Sequence, residues 1–179
     1  MKSPKHDISG DNADETAGPI KPSRSRPKSY PMQNIVRLQR LAHRAEATPL
    51  LRPFARLIDL LIRLIYSATL PSQATIHQTA HFGHNALAVV INRLCIIGEN
   101  CYIGPQTVLG GRAPVIGAPK LERDVTVHAG AKIIGPITVG EGSIIGANAV
   151  VLKDVPPFSV AVGVPARIIA SDIDPASYR

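Results

Sequence analysis

Residues 121–151 read LERDVTVHAGAKIIGPITVGEGSIIGANAVV, and a large apolar residue recurs at every sixth position of this stretch. The same spacing, with two interruptions, extends back to Leu70. The members of this large-apolar column are Leu70, Ile76, Phe82, Ile91, Ile97, Ile103, Leu109, Leu121, Val127, Ile133, Val139, Ile145 and Val151.

A second column follows four residues after the first, and its members are usually small. They are Ala74, Ala80, Ala86, Cys95, Cys101, Thr107, Ala113, Val125, Ala131, Ile137, Ser143, Ala149 and Val155. Two columns in fixed phase are typical of the hexapeptide repeat, in which each unit contributes one short strand and one turn.

Three such units form one triangular coil, with the large residue inside the prism and the small residue near a corner. We therefore predict a mainly β fold, a parallel β-helix over residues 69–169. Cys95 and Cys101 belong to the small column, which makes them packing residues rather than nucleophiles.

The repeat is interrupted at two places. Nine residues separate Phe82 from Ile91, and the segment contains GHNALAV. Twelve residues separate Leu109 from Leu121, and the intervening GGRAPVIGAPK is so rich in Gly and Pro that it is predicted to leave the coil as a loop. Because regular solenoids place their chemistry at interruptions, both segments are candidates for the functional site.

The chain outside the repeat divides into three segments. Residues 1–33 are predicted to form a disordered basic tail, since they hold few apolar side chains. Residues 34–68 are predicted to be helical, and residues 170–179 form a C-terminal tail. The net charge of +7 favours polyanionic partners. Nucleic-acid binding through KPSRSRPK is not favoured, because no aromatic residues interleave the charges.

The second helical stretch, FARLIDLLIRLIYSA, is amphipathic. Arg56, Asp59 and Arg63 share one face and the remaining face is broadly apolar. That face suits either a membrane surface or packing against the rest of the protein or a neighbouring subunit, and packing is favoured. The chain shows no secretory signal and no spanning segment, and it has two cysteines. We expect a cytoplasmic protein, with peripheral contact at the inner membrane as a further option.

Several runs resemble the serine acetyltransferase branch of the hexapeptide acyltransferases. They are LPSQATIHQTAHFGH, VVINRLCIIGENCYIG, VLGGRAPVIG and VTVHAGAKIIGPITVGEGSIIGANAVVLKDVPPFSVAVGVPARII. The resemblance spans about Leu38 to Ile169. It implies a left-handed coil, acetyl-CoA as co-substrate, no metal, and a homotrimer with CoA between adjacent subunits.

The resemblance places the family's catalytic histidine on His84. A histidine suits the role of general base, because a hydroxyl is a poor nucleophile at neutral pH and the imidazole pKa lies near the working pH. His128, Asn85 and Asn92 are secondary candidates for the site. His77 and His81 are predicted to be surface histidines.

The CoA groove, again by resemblance, involves residues of five separate segments. They are Gly110, Gly111, Ala129, Gly130, Ala131, Lys132, Gly146, Ala147, Lys153 and Arg167. Backbone N–H groups near Gly110 or Gly130 would stabilise the thioester oxygen as it gains charge. The lysines and the arginine would pair with the CoA phosphates.

Three positions depart from the family pattern. Thr69 and Gly83 stand where serine acetyltransferases carry Asp, and Ala118 stands where they carry a second histidine. These departures favour a sugar or an exopolysaccharide or capsule unit as acceptor, with serine O-acetylation as the alternative. Two further readings are a non-catalytic β-helix scaffold and a metal enzyme that resembles the β-helical carbonic anhydrases, with His77, His81, His84 and His128 as ligands.

Overall fold

The computed structural model describes residues 33–175. The disordered tail predicted for residues 1–33 therefore lies outside the described residues, except for Gln33. The last four residues of the tail at 170–179 also lie outside them.

The chain begins with a helical hairpin and continues as a series of short strands. The hairpin consists of α1 (Asn34–Glu46), a 3₁₀ turn (Pro49–Leu51) and α2 (Arg52–Tyr66). The strands are β1 (Thr75–Ile76), β2 (His81–Phe82), β3 (Val90–Ile91), β4 (Ile96–Ile97), β5 (Tyr102–Ile103), β6 (Val108–Gly110), β7 (Lys120–Leu121), β8 (Thr126–Val127), β9 (Lys132–Ile134), β10 (Thr138–Val139), β11 (Ile144–Ile145), β12 (Val150–Val151), β13 (Val160–Val162) and β14 (Arg167–Ala170).

The strands form the three sides of a prism. Sheet A has the order β3-β6-β9-β12, sheet B has β1-β4-β7-β10, and sheet C has β2-β5-β8-β11-β13-β14. From β1 to β13, successive strands of the chain fall in different sheets, and each coil pairs in parallel with the next, as Phe82 does with Ile103. The result is a solenoid of about four turns. The predicted left-handed parallel β-helix with a short N-terminal helical segment is confirmed.

The two sequence columns form the core of the prism. Every member of the large-apolar column is buried, and so is every member of the small column except Ala113. Ala113 is exposed because residues 111–119 leave the coil between β6 and β7, so its assignment to the small column is wrong. The loop predicted for this segment is confirmed.

Glutamine side chains of the helical hairpin cap the first coil. Gln33 accepts a 2.8 Å hydrogen bond from the Phe82 N–H and donates a 3.0 Å bond to the Phe82 carbonyl. Gln39 is fully buried and donates to the carbonyls of Pro71 and Ala74. The first coil has no preceding coil to pair with its backbone N–H and carbonyl groups. The glutamine amides form hydrogen bonds with these groups instead, and buried backbone groups need such partners.

Helix α2 contacts the rest of the chain along one narrow face. Ala55, Ile58 and Ile62 are buried. The Asp59 carboxylate accepts hydrogen bonds from the N–H and the hydroxyl of Ser72, while burial raises its pKa. The other apolar side chains of α2, apart from the half-buried Tyr66, are exposed, so within this chain only part of the apolar face packs. Packing of the remaining face against a neighbouring subunit stays a prediction. In the part of the chain that the structure describes, no helix has the length and apolarity needed to cross a bilayer.

The C-terminal end of the solenoid closes with an antiparallel pair. Residues 163–166 extend sheet A, since the Val150 N–H donates to the Gly163 carbonyl and the Ala166 N–H donates to the Val150 carbonyl. The chain then reverses, and β14 pairs with β13. A terminal strand of opposite direction ends the parallel stack and leaves a short edge.

The two isoleucines of β4 test which face of the strand packs into the core of the prism. Ile97 is 1% exposed inside the prism, and Ile96 is 44% exposed on its outer side. We expect Ile97→Ala to lower the free energy of unfolding by about 2–5 kcal/mol, because it removes buried methyl groups and leaves a cavity. Ile96→Ala is the matched control and should cost less than about 1 kcal/mol. Equal losses in urea denaturation would contradict the assigned orientation of the coil.

Candidate active site

His84 lies in the irregular turn that follows β2. Its backbone is left-handed, with φ 50° and ψ 42°, and Asn85 follows with φ 53° and ψ 39°. Such a conformation costs a non-glycine residue about 1 kcal/mol, and strained residues cluster at functional sites. Both side chains are exposed to solvent. The extra residues between Phe82 and Ile91 therefore project a histidine from the prism.

Within residues 33–175 the His84 imidazole has no hydrogen-bond partner. Thr69, at the position of the family's orienting Asp, pairs with Val90 at the top of sheet A. Its N–H donates to the Val89 carbonyl at 2.8 Å. The described residues thus supply no carboxylate to orient His84, as the sequence departure predicts.

Gly83 packs against the ring of Tyr102 in the next coil. A Cβ atom on Gly83 would collide with the Tyr102 hydroxyl and lie 3.1 Å from Cζ. The Tyr102 ring also stacks on His81, with centroids 5.7 Å apart and an interplanar angle of 19°. Burial lowers the pKa of His81. A phenol therefore fills the space that a side chain at position 83 would occupy.

Apart from Arg167, which lies on β14 of sheet C, the predicted site residues gather on one side of the prism, along sheet A and its two corners. The corner between sheets C and A carries His84, Ala129, Gly130, Gly146 and Ala147, since they follow strands of sheet C. The corner between sheets A and B carries Asn92, Gly111 and Lys153, which follow strands of sheet A. Gly110 ends β6, Ala131 is buried immediately before β9, and Lys132 begins β9 with an exposed side chain.

A cleft of about 360 Å³ opens at the corner between sheets A and B, beside the 111–119 loop. Val115, Ile134 and Leu152 contribute apolar surface to it. Arg112 and Lys153 bring positive charge. The cleft also contains Asp154, Gly135, Pro136 and Ile137. The Asp154 carboxylate accepts a hydrogen bond from the Thr138 N–H at 2.8 Å.

Two of the predicted site residues, Lys132 and Asn92, form hydrogen bonds within the chain. The Lys132 ammonium donates to the Gly130 carbonyl at 2.9 Å, which holds it at the corner between sheets C and A. The Asn92 side chain accepts a 2.9 Å bond from the Leu94 N–H and thereby shapes its own turn. Arg167 lies on β14, at the opposite end of the solenoid from His84.

The remaining described histidines occupy varied positions. The Nδ1 atom of His43 lies 2.6 Å from the Ser72 carbonyl oxygen, and that of His77 lies 2.8 Å from the Thr79 hydroxyl. His128 occupies the same corner as His84, two coils further on. Across residues 33–175, no group of three or more His, Cys, Asp or Glu side chains is arranged to hold a metal ion.

The two cysteines are buried inside the prism. Burial raises the pKa of the Cys95 thiol to about 12. The Cys101 thiol donates a hydrogen bond to the Glu122 carbonyl at 2.9 Å. A thiol that stays protonated and inaccessible is not a nucleophile, which agrees with the packing role read from the sequence.

Sequence reasoning missed two residues of this region. Arg112 lies in the interrupted segment and lines the cleft, but no motif singles it out. Tyr102 lies on the outer side of β5, and only the register Phe82↔Ile103 brings its ring beside Gly83. The rarity of aromatic residues, 4% of the chain, was the available signal for Tyr102.

The fold is a β-helix of hexapeptide repeats, with a projecting histidine and a cationic cleft on one side of the prism. A family model described as bacterial transferase hexapeptide (six repeats) matches residues 118–153.

The known proteins that match are serine acetyltransferases. That of Bacillus subtilis (strain 168) is 40% identical over 120 residues, covering 66% of this chain and 55% of the relative. The structure of the soybean enzyme complexed with serine is 36% identical, with TM-score 0.71, and the match covers 75% of this chain and 56% of that one. The Brucella abortus strain S19 enzyme in complex with coenzyme A is 32% identical, with TM-score 0.72, covering 76% and 54%.

The chain spans about half the length of the curated relatives it matches. Within that span the resemblance drawn from the sequence is confirmed. The chain is similar in sequence and fold to serine acetyltransferases, and its residues 118–153 match the hexapeptide-repeat model.

The contact between Gly83 and Tyr102 predicts a specific pattern of stabilities. Gly83→Ala should cost about 1 kcal/mol or more in the free energy of unfolding, because the new methyl group displaces the Tyr102 ring. The matched background is Tyr102→Phe, which removes the colliding hydroxyl. There, the same glycine substitution should cost clearly less. If Gly83→Ala costs the same in both backgrounds, the hydroxyl does not constrain position 83.

Proposed function

We propose that this chain is an acetyl-CoA-dependent O-acetyltransferase with His84 as its general base. The observation that supports this best is the projection of His84 from the one irregular turn, on the same side of the prism as a cationic, partly apolar cleft. Similarity to enzymes whose structures hold coenzyme A or serine supports the same reading.

The chemistry is a direct acyl transfer. The acceptor hydroxyl oxygen attacks the thioester carbonyl carbon, a C–O bond forms, and the C–S bond breaks. The His84 imidazole takes the hydroxyl proton as the bond forms and delivers it to the departing CoA sulfur. Because His84 lacks an orienting carboxylate among the described residues, the acceptor or a neighbouring subunit has to complete its hydrogen bonding.

The cleft beside the 111–119 loop fits the two halves of CoA. Arg112 and Lys153 offer charge to the phosphates, and the apolar surface from Val115 and Leu152 suits the uncharged pantetheine arm. Backbone N–H groups near Gly111 are candidates to stabilise the thioester oxygen. Arg167, on β14 at the end of the solenoid, is a candidate for the more distant phosphates.

A trimer would bring the two halves of the site together. In one chain, His84 and the cleft lie at opposite corners of sheet A, which separates them and carries Val90, Val108, Lys132 and Val150 on its outer side. A cyclic assembly that packs this side, apolar apart from Lys132, against a neighbour would place His84 of one chain beside the cleft of the next. We therefore infer a homotrimer with each site shared between two chains.

L-serine is the acceptor that the similar proteins favour. All the named relatives above are serine acetyltransferases, and one structure was determined with serine bound. None of the relatives named above is an enzyme of polysaccharide synthesis, to which the sequence departures pointed. Serine O-acetylation is therefore our first candidate for the reaction.

A sugar hydroxyl is the second candidate, and the local structure around Gly83 and Ala118 supports it. Gly83 has no side chain to place beside His84, and the Tyr102 hydroxyl occupies the space that a side chain at position 83 would need. Ala118 packs against the core and offers no polar group. An amino-acid acceptor carries two charges that need partners, whereas a sugar binds through neutral hydroxyls and aromatic surface.

Release of free CoA thiol from acetyl-CoA, measured with L-serine, simple sugars and nucleotide sugars as acceptors, tests both candidates. We expect release with one acceptor class, and a loss of about 100-fold or more in kcat for His84→Ala. His77→Ala is the matched control, since His77 lies one coil corner away and its imidazole bonds only to Thr79 among the described residues.

Release with L-serine selects the first candidate, and release with a sugar selects the second. Full activity of His84→Ala would remove His84 from the mechanism and leave His128, at the same corner, as the base. Failure to bind acetyl-CoA in calorimetry would overturn the proposed activity and favour the scaffold reading.

A further inference from the structure

Helix α2 presents a broad apolar sector to solvent. The sector consists of Phe54, Leu57, Leu60, Leu61, Leu64 and Ile65. Leu64 is 70% exposed and Ile65 is 66% exposed. An exposed apolar patch of this continuity marks an interaction surface.

This apolar sector is separate from the face with which α2 joins the protein. At about 100° per residue, the sector spans about 140° of the helix, and buried Ala55, Ile58 and Ile62 occupy a different arc. The 3₁₀ turn at the start of α2 extends the surface with Leu50, which is 87% exposed. The sector is thus held outward by a helix whose other side is firmly packed.

Arginines border the apolar sector. Arg52, Arg56 and Arg63 fall on a single edge of α2, within about 40° of one another, and all are exposed. The ion pairs found among residues 33–175 are Lys120–Glu122 and Arg123–Glu141, so these guanidinium groups are not neutralised by a described carboxylate. We call this edge the arginine stripe.

The charge around the sector selects its partner. Residues 34–68 carry six arginines and two carboxylates, and one of those carboxylates, Asp59, is bonded to Ser72. A second copy that packed through the same helical hairpin would bring the same basic edge, with Glu46 as the one carboxylate of residues 34–68 left to match it. An anionic lipid surface offers phosphates to the arginines and acyl chains to the leucines, and long arginine side chains reach the headgroups from a partly inserted helix.

We propose that α2 lies in the interface of an anionic lipid bilayer, with its apolar sector inserted at the acyl boundary and its arginine stripe on the headgroup phosphates. The helix, of 15 residues, lies parallel to the membrane plane. This attachment is independent of the acyl-transfer proposal, since α2 contributes no residue to the candidate active site.

Flotation of the full chain with phosphatidylcholine vesicles, with and without phosphatidylglycerol, tests the attachment. We expect binding to the anionic vesicles that weakens with salt, and little binding to neutral ones. Leu57→Ser with Leu64→Ser should weaken binding by about tenfold or more, through the apolar surface lost. Arg56→Gln with Arg63→Gln should weaken binding to anionic vesicles only.

Ile96→Ser, an exposed apolar position on sheet B, is the matched control and should bind as the unmodified chain does. Thermal unfolding of each variant establishes that it is folded. Absence of vesicle binding by the unmodified chain would overturn the proposal, as would unchanged binding by the leucine pair. A fall in molecular mass for the leucine pair, with no vesicle binding by either protein, would assign the sector to a second copy instead.

Discussion

The close stacking of successive coils is the constraint on which this structure depends. Parallel strands stand about 4.8 Å apart, so each corner must pass the corner of the next coil with little space between them. At Gly104, a Cβ atom would lie 2.6 Å from the Ala129 nitrogen and 2.8 Å from the His128 carbonyl carbon. Backbone atoms at these corners cannot move aside, which explains why the small column and its neighbouring glycines recur with the same period as the large-apolar column.

The candidate site arises where this constraint is relaxed. The extra residues after Phe82 let His84 adopt a left-handed backbone and leave the prism. The extra residues after Gly110 form a loop that brings Arg112 to the side of a cleft. Regular coils between these points fix the positions of both segments, since sheet A holds their corners at constant separation. The solenoid therefore supplies rigidity, and the two interruptions supply the candidate residues His84 and Arg112.

Much of the fold could be predicted from the sequence, because the period of the repeat directly encodes which side chains are inside. The loop over 111–119 was also predictable from its Gly and Pro residues, although Ala113 was misplaced by extending the period through it. The grouping of the candidate site residues along sheet A could be predicted only from the resemblance to serine acetyltransferases. The position of Tyr102 against Gly83 depends on inter-coil register, and the solvent-facing sector of α2 depends on how the hairpin packs. A single helical stripe in sequence does not say which part of a broad apolar face is buried within the chain, so the sequence could not separate the face that packs from the face that stays exposed.

The most direct test of the account is subunit complementation between two inactive variants. His84→Ala and a cleft variant, Arg112→Glu with Lys153→Glu, would be co-expressed with different tags, and doubly tagged assemblies would be purified and assayed. If each site combines His84 of one chain with the cleft of its neighbour, every mixed trimer holds one complete site and should show about a third of the unmodified activity. Mixed assemblies no more active than the parent variants, or a monomeric protein, would contradict the shared site.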